Sequence, residues 1–371
     1  MNLLDMPSDY KSQFSITRYP KTNNRSLQGW SKADEFLIST IKKNNLSDKS
    51  ITIYNDTFGY LSCHLISDKI KIKIESASQK KSIIKNIEKN ELDIDDKQFI
   101  DLTYQTNDKP DVIVIKVPKS TDLFEQYLKQ ISLNMTDDTI VICSFMTKYF
   151  SKGMIEIAQK YFENVTQSKA WKKSRLITLS NIRSLEVSPL IHEIDSEFGL
   201  FKQYYGVFSA NKIDYATQFL IQNIELPEIT EYVLDLASGN GVLAKQVQDK
   251  LPEAKIHLVD DSLLAIESSK LNITGENIYY HFENDLYSFD DNYFDYIISN
   301  PPFHVEHEID VSLPLGLFEQ TVRCLVDDGV FQLVFNNHLN YATHLSKLFK
   351  DVIETAKNEK FTILTCKFPI K

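Results

Sequence analysis

Hydrophobic residues in the second half of the chain fall in short runs separated by polar stretches whose apolar positions recur at helical spacing. "YVLDLASGNGVLAKQVQDKL" reads as strand, Gly-bearing turn and helix, and "AKIHLVDDSLLAIESSKLNI" repeats that order with an acidic turn. The strand runs are β-branched and apolar on both faces, as the strands of a buried parallel sheet are. "IYYHFENDLYSF" and "FDYIIS" supply two more strands. "GVFQLVFNN" follows the helix-like "PLGLFEQTVRCLV", and "KFTILTCKF" is a late strand. The rhythm predicts an α/β fold, a doubly wound sheet covered on both faces.

The first half repeats this grammar. "SITIYNDTFGYLSCHL" reads as strand, turn and helix, and placing Gly59 on Gly241 also pairs Leu61 with Leu243. Laying "KPDVIVIKVPKS" over "YFDYIISNPPFH" pairs Asp111 with Asp295 and Pro118 with Pro302. The gap from glycine to aspartate is about the same in both halves, as a repeated supersecondary unit requires. Two unrelated α/β sheets also superpose on motifs this short. The duplication predicts two tandem Rossmann-like domains, residues 1–190 and 191–371. In the first copy Lys116 stands in place of Asn300, Val117 in place of Pro301, and the turn has one glycine instead of two. Cofactor and catalytic functions are therefore expected in the second copy alone.

Composition supports two domains of an ordinary globular protein: 371 residues, 42% hydrophobic and 25% charged. The four cysteines, Cys63, Cys143, Cys324 and Cys366, form no CxxC or His-paired spacing, which argues against structural zinc and a disulfide framework. "MNLLDMPSDYK" has no basic n-region or apolar h-region, and no run approaches the roughly 18 apolar residues of a membrane span. A cytoplasmic protein with no membrane partner is expected. Net charge is −10, yet it is unevenly divided. Residues 1–190 hold 28 Lys and Arg against 23 Asp and Glu, and residues 191–371 hold 13 against 28. A basic half beside an acidic one suggests a polyanion held by the first and processed by the second, although such asymmetry also arises by chance on solvated faces.

Candidate chemistry sits at the strand ends, where ligands of open α/β sheets bind. "DLASGNG", Asp235 to Gly241, links a strand to a helix, where glycines let backbone approach a ligand and the helix offers free N–H groups. Plain turn chemistry would read the same way. It lacks the dinucleotide GxGxxG and any GK[ST], so no pyrophosphate is demanded. About 20 residues on, Asp260 ends the next strand, placed to accept both hydroxyls of a ribose. "ISNPPFH" closes another strand with prolines that cannot extend a ladder, which puts Asn300 in the site. His304 and His307 have no third ligand at suitable spacing, so a rim position is expected and no metal.

"DLASGNG" with Asp260, "END" at 283–285 and "NPPFH" together resemble class I S-adenosylmethionine-dependent methyltransferases of the N-P-P-[FY] kind. Over nearly the full length the chain is similar to two-domain ribosomal RNA guanine-N2 methyltransferases, and within them to the large-subunit (23S) type. That likeness rests on "RYP" at 18–20, "LQGWSKADEFLI" at 27–38, "NDTFG" at 55–59, "VIKVPKS" at 114–120, "AWKKSRLI" at 170–177 and "VFS" at 207–209. The family turn is D-L-G-C-G-N-G, and here Ala237 and Ser238 replace the glycine and cysteine.

The resemblance implies S-adenosyl-L-methionine as cofactor, held by Asp235, Ala237, Gly239, Gly241, Asp260, Asp285 and Phe208, with Asp214 also a candidate contact. Asp285 is equally a helix-cap candidate. It implies a 23S ribosomal RNA partner, a monomer being the working expectation. An exocyclic guanine amine is a poor nucleophile because its lone pair is conjugated into the ring. The Asn300 amide oxygen and the Pro301 carbonyl, stiffened by Pro302, would accept its N–H hydrogens and aim the lone pair. Phe303 would give a wall on which a flipped base stacks, with His304 beside it. "KAWKKSR" offers Lys172, Lys173 and Arg175 to phosphates, with Trp171 as anchor or stacking ring, or else a snorkelling basic face over a buried tryptophan. Release-factor glutamine methylation, adenine-N6 methylation and a non-catalytic RNA-binding assembly role are the alternatives. The intact Asn300 to Phe303 run disfavours the last.

Overall fold

A computed structural model describes residues 3, 5, 12–20, 27–104, 109–183, 190–209, 211–301 and 312–371. The chain divides into two compact units, Met1–Leu190 and Ile191–Lys371. The first comprises α1 (Lys32–Lys43), β1 (Ile51–Tyr54), α2 (Tyr60–Leu65), β2 (Ile70–Ile74), α3 (Ala77–Lys89), β3 (Phe99–Asp101), β4 (Val112–Lys116), α4 (Thr121–Asn134), β5 (Ile140–Met146), α5 (Lys152–Tyr161), β6 (Phe162–Gln167) and β7 (Ser174–Ile182). The second begins with a hairpin of β8 (Ile191–Ser196) and β9 (Gly199–Tyr204), followed by α6 (Tyr215–Ile221). Its sheet region then runs β10 (Tyr232–Leu236), α7 (Val242–Lys250), β11 (Lys255–Asp260), α8 (Leu263–Asn272), β12 (Ile278–Phe282), β13 (Phe294–Ser299), α9 (Ser312–Cys324), β14 (Leu325–Asn336), α10 (Tyr341–Leu345), β15 (Phe349–Lys357) and β16 (Phe361–Pro369).

The two sheets have the same strand order, β3-β2-β1-β4-β5-β7-β6 and β12-β11-β10-β13-β14-β16-β15. In each, the first five strands are parallel, and the last two are joined by antiparallel pairings, so that β7 and β16 run against the rest. The hydrophobic pattern marks β16 and is silent on β15 and on the β6–β7 edge. β15 shows why: as an edge strand it leaves Lys350, Asp351, Glu354 and Lys357 exposed among its apolar positions. Only a short link separates β15 from β16, too short for a parallel crossover, so the pair must be antiparallel.

Neighbouring residues of the second sheet enter opposite cores. Val233 and Ile298 pack with Val242, Leu243 and Val247, whereas Leu234 and Ile297 pack with Phe318 and Phe331. Both faces are buried, which is why these strands read as unbroken apolar runs.

Register confirms the pairing of the halves. β1 sets Ile51 against Val112, and β10 sets Val233 against Tyr296, so Lys116 and Asn300 occupy the same sheet position. Asp111 and Asp295 play the same part. Asp111 accepts from the Ser50 N–H and hydroxyl at 2.9 Å each, and Asp295 from the Glu231 and Tyr232 N–H groups at 2.8 Å each. Each carboxylate ties the start of one strand to the start of its neighbour. Gly59 and Gly241 are both left-handed N-caps, at φ 82° and 80°.

Candidate active site

The turn after β10 takes left-handed backbone at three places, two of them glycine. Ala237, Gly239 and Gly241 lie at φ 61°, 57° and 80°. A Cβ on Gly241 would sit 3.2 Å from the Ser269 side chain and 3.3 Å from Ile273 Cγ2, so glycine is required there on two grounds. A Cβ on Gly239 meets nothing within 4 Å, which leaves that backbone open to a ligand. Ala237 takes a conformation that costs a non-glycine residue roughly 1–2 kcal/mol. That is a physical reason for the glycine preferred at this place.

Several side chains fix the turn. Asp260 accepts the Gly239 N–H at 2.9 Å on Oδ2 and the Ser262 N–H at 2.8 Å on Oδ1. Ser269 Oγ donates to the Gly239 carbonyl at 3.0 Å, and Asn272 Nδ2 to that of Asn240 at 2.8 Å. Asn240 Nδ2 donates to Gln203 Oε1 at 3.0 Å, and Gln203 Nε2 reaches the Ser209 carbonyl at 3.4 Å. The hairpin and the loop after it are thereby tethered to the turn. Beyond that tether, Phe208 is 67% exposed. Gln203, Ser269 and Asn272 carry no motif by which sequence reading finds them.

Asp235 is fully buried, and its Oδ2 accepts the Ala244 N–H at 2.9 Å. Its Oδ1 and the Ser238 hydroxyl are buried with no hydrogen-bond partner among the described residues. Burial raises Asp235 to about 7, against the lowering effect of the Ala244 bond, with the Asp260 charge adding to the rise. Burial likewise raises Asp260 to about 6, opposed by the Ser262 and Gly239 N–H groups. Asp285 is buried past the end of β12, with Oδ1 3.4 Å from the Tyr287 N–H. No helix starts there, so the helix-cap alternative for Asp285 falls away.

At the tip of β13, Asn300 Nδ2 donates to Thr217 Oγ1 at 2.9 Å and to Asp214 Oδ2 at 3.2 Å. A carboxylate only accepts, so it is the NH₂ that faces Asp214. Among the described residues the Asn300 oxygen has no hydrogen-bond donor, so it is left to accept from a ligand. Asp214 also caps α6, taking the Ala216 and Thr217 N–H groups at 3.0 and 3.4 Å. This residue, expected beside the cofactor, is thus engaged in holding Asn300. Pro301 is buried directly after it, and Pro302, Phe303 and His304, with His307, lie outside the described residues.

Residues 6–183 match the family model of the RLMG N-terminal domain, and residues 199–365 that of the methyltransferase small domain. The chain joins an RLMG N-terminal domain to a methyltransferase small domain. It is 29% identical to the ribosomal RNA large subunit methyltransferase G of Psychromonas ingrahamii over 365 residues, 94% of this chain and 95% of that one. Its fold is that of a T. thermophilus 16S rRNA N2-guanine methyltransferase solved with AdoMet and guanosine. That match has a TM-score of 0.70 at 18% identity and covers 86% of this chain and 88% of the other.

The RLMG N-terminal domain has rebuilt the matching places. Register puts Ile53 where the methyltransferase small domain has Asp235. The carboxylate comes instead from Asp56, whose Oδ2 accepts the Ser62 N–H at 2.6 Å and the Ser62 hydroxyl at 2.7 Å. Ser62 and Ala244 stand equally far from their N-cap glycines. At the end of β2, Glu75 accepts the hydroxyl of Tyr127, a buried ring 5.3 Å from that of Tyr54. Aromatic side chains therefore fill the strand-end region that the other domain keeps open at Gly239. Lys116, in the place of Asn300, has Nζ 3.4 Å from Asp34 Oδ2.

Lys172 and Lys173 form the tight turn before β7, both left-handed at φ 45° and 61°. Trp171 is only 8% exposed and packs on Phe36 at 5.7 Å, with Lys172 Nζ 4.6 Å from its ring centroid. Trp171 is therefore an anchor and not a stacking platform. Arg175 donates to Gln167 Oε1 at 2.7 Å. The four cysteines are free and buried, and among the described residues no helix is long and apolar enough to cross a membrane.

Proposed function

We propose that the protein is a cytoplasmic enzyme that transfers a methyl group from S-adenosylmethionine to the exocyclic N2 of a guanine in 23S ribosomal RNA. The observation that carries this reading is the Asn300 amide, oriented by Asp214 and Thr217 with its oxygen unengaged among the described residues, at the strand end next to the Asp260-supported turn. The likeness to the large-subunit methyltransferase supports the choice of RNA and subunit. The residues present suit the cofactor: an open glycine at 239, a carboxylate at 260, and unsatisfied buried atoms at Asp235 and Ser238. Asp235, Ala237, Gly239, Gly241 and Asp260 would hold it, with Asp285 and Phe208 at its edges. When bound, it supplies the methyl group on a sulfonium.

The protein's part is orientation. The Asn300 oxygen and the Pro301 carbonyl accept the guanine N–H hydrogens, bind the amine more strongly as it gains positive charge, and so stabilise the transition state. By their place in the motif, Pro302, Phe303 and His304 are the residues proposed to meet the base, Phe303 through its ring. Lys172, Lys173 and Arg175 of the first domain meet the RNA backbone. Mass mapping of ribosomal RNA from cells with and without the protein tests the proposal. One 23S guanine should lose 14 mass units, about one methyl in place of hydrogen, in its absence. Unchanged 23S RNA, or loss of methyl from a protein glutamine, overturns it.

The raised carboxyls give a pH signature. Their ionised forms accept hydroxyl hydrogens and attract a sulfonium, so cofactor affinity should be full above about pH 8. It should begin to fall as Asp235 protonates through about 7 and fall more steeply as Asp260 protonates through about 6, by up to roughly tenfold per pH unit for each group. Stability without cofactor has the opposite sign. Unfolded aspartates titrate near 4, so between about 7 and 4 the native state binds the extra protons and gains stability as pH falls. Calorimetry across pH 5–8 checks this, and Asp260→Asn should flatten most of the slope in affinity.

A further inference from the structure

In the methyltransferase small domain, α6 begins with an aromatic ring on the surface, beside the group that holds Asn300. Asp214 Oδ2 takes the Asn300 NH₂ at 3.2 Å, and the next residue, Tyr215, is 57% exposed. Lys212 Nζ lies 3.8 Å from the Tyr215 ring centroid. The segment that carries them is fixed in place. Ile213 is buried in the core, Gln218 Nε2 donates to its carbonyl at 2.7 Å, and Ser209 Oγ donates to the Lys212 carbonyl at 2.5 Å. We propose that Tyr215 and Lys212 hold the nucleotide next to the target guanine, its base stacked on the ring and its phosphate set against the ammonium group. The inference rests on the RNA substrate proposed above.

A second lysine reaches this place from a distant part of the chain. α6 packs on β14 and β16, and Lys360 immediately precedes β16. The Asn337 N–H donates to the Lys360 carbonyl at 2.9 Å, which holds it at the tip of β14, and β14 runs parallel to β13, the strand that Asn300 follows. Its charge is felt at the ring. A hydrogen bond and the charge of Lys212, with a smaller effect from Lys360, keep the Tyr215 phenol below its usual range. Glu359 precedes Lys360 and is exposed as well, so the phosphate meets Lys212 first and Lys360 adds to the field.

The chemistry of the reaction calls for such a platform. Taking a guanine out of its stack deprives its neighbour of a stacking partner, and enzymes that act on extruded bases choose their site partly by contacts to flanking nucleotides. An exposed tyrosine ring restores that stacking and tolerates any base, since each has a π face. Position decides the assignment to the flanking nucleotide. Asp214 holds Asn300 with its side chain and leads directly into Tyr215 along the backbone, a step of about 3.8 Å between Cα atoms. Residues 191–371 hold 13 Lys and Arg against 28 Asp and Glu, so a lysine laid on an exposed ring at this edge runs against the prevailing charge of the unit.

The test uses full-length protein and two uridine hexanucleotides, each holding one guanosine, with the fluorescent base 2-aminopurine on its 5′ side in one and on its 3′ side in the other. Stacking on an aromatic ring quenches that base. Wild type should quench at least one probe, Tyr215→Phe should quench it equally, and Tyr215→Ala should not. On 23S ribosomal RNA lacking the methyl group, Tyr215→Ala should raise KM by roughly 5- to 150-fold, the worth of one stacked base, with kcat within a few-fold of wild type. Lys212→Gln should raise KM less and flatten its log–log salt dependence by about 0.7, the share of one phosphate contact on a single strand. S-adenosylmethionine affinity and melting temperature should match wild type in all three variants. Quenching by Tyr215→Ala equal to that of wild type overturns the proposal, as does the absence of quenching in both probes. A Tyr215→Ala loss confined to kcat also overturns it, since that would be a structural effect passed through Asp214 to Asn300. Wild-type protein that shows the Tyr215-dependent quenching yet methylates no ribosomal RNA supports this inference and overturns the function proposed above.

Discussion

Asn300→Ala is expected to lower kcat for methyl transfer on the order of 10²-fold or more, while cofactor affinity stays nearly intact. The size follows from what is removed. Tenfold in rate corresponds to about 1.4 kcal/mol, so a hundredfold loss is about 2.7 kcal/mol, the worth of one preorganised acceptor that strengthens in the transition state. Preorganisation is visible in the hydrogen bonds: Asp214 and Thr217 hold the NH₂ group, which fixes the amide's orientation before any substrate arrives. Thr217→Val should therefore lower kcat by a smaller factor, about tenfold, since Asp214 still holds the amide. Single-turnover methyl transfer on 23S RNA, with calorimetry for the cofactor, separates the two effects. An Asn300→Ala enzyme within a few-fold of wild type would show that orientation is supplied elsewhere.

Asp260→Ala should weaken S-adenosylmethionine binding by roughly 1.5–3 kcal/mol, the range for hydrogen bonds to a charged group, or about 10- to 150-fold in Kd. Two losses contribute: the acceptor for the ribose, and the support of the turn through the Gly239 and Ser262 N–H groups. Asp260→Asn loses the charge and keeps one of the two turn acceptors, its NH₂ opposing the other N–H. Asparagine binding close to that of wild type would show that one turn acceptor suffices and that the charge contributes little, and binding close to that of alanine would show that the charge or the second acceptor is required. Unaltered affinity in both variants, or cofactor that maps to residues 1–190, would sink the assignment of the site. The first domain offers no open equivalent, since its turn has Thr57 in the place of Gly239 and Tyr127 fills the ground nearby.

Much of this protein is fixed by short-range rules. A strand buried on both faces must be apolar at successive positions, a turn with φ near +80° against Ser269 must be glycine, and prolines must end a ladder. Those constraints made the βαβ rhythm, Gly241, Asp260, Asn300 and the pairing of Asp111 with Asp295 legible without coordinates. They act within a few residues, so a single chain displays them. Tertiary structure alone decided what depends on partners far apart in sequence. Asn300 is aimed by residues 83 and 86 positions away, the antiparallel edge is set by a link too short to cross over, and the carboxylate lost at Ile53 returns at Asp56. The same holds for Tyr215 and Lys360, which are far apart in the chain and close in space because α6 packs on β14 and β16. Local pattern specifies which elements form and which face is buried. Only the order in which strands pair determines whose side chains meet at their ends.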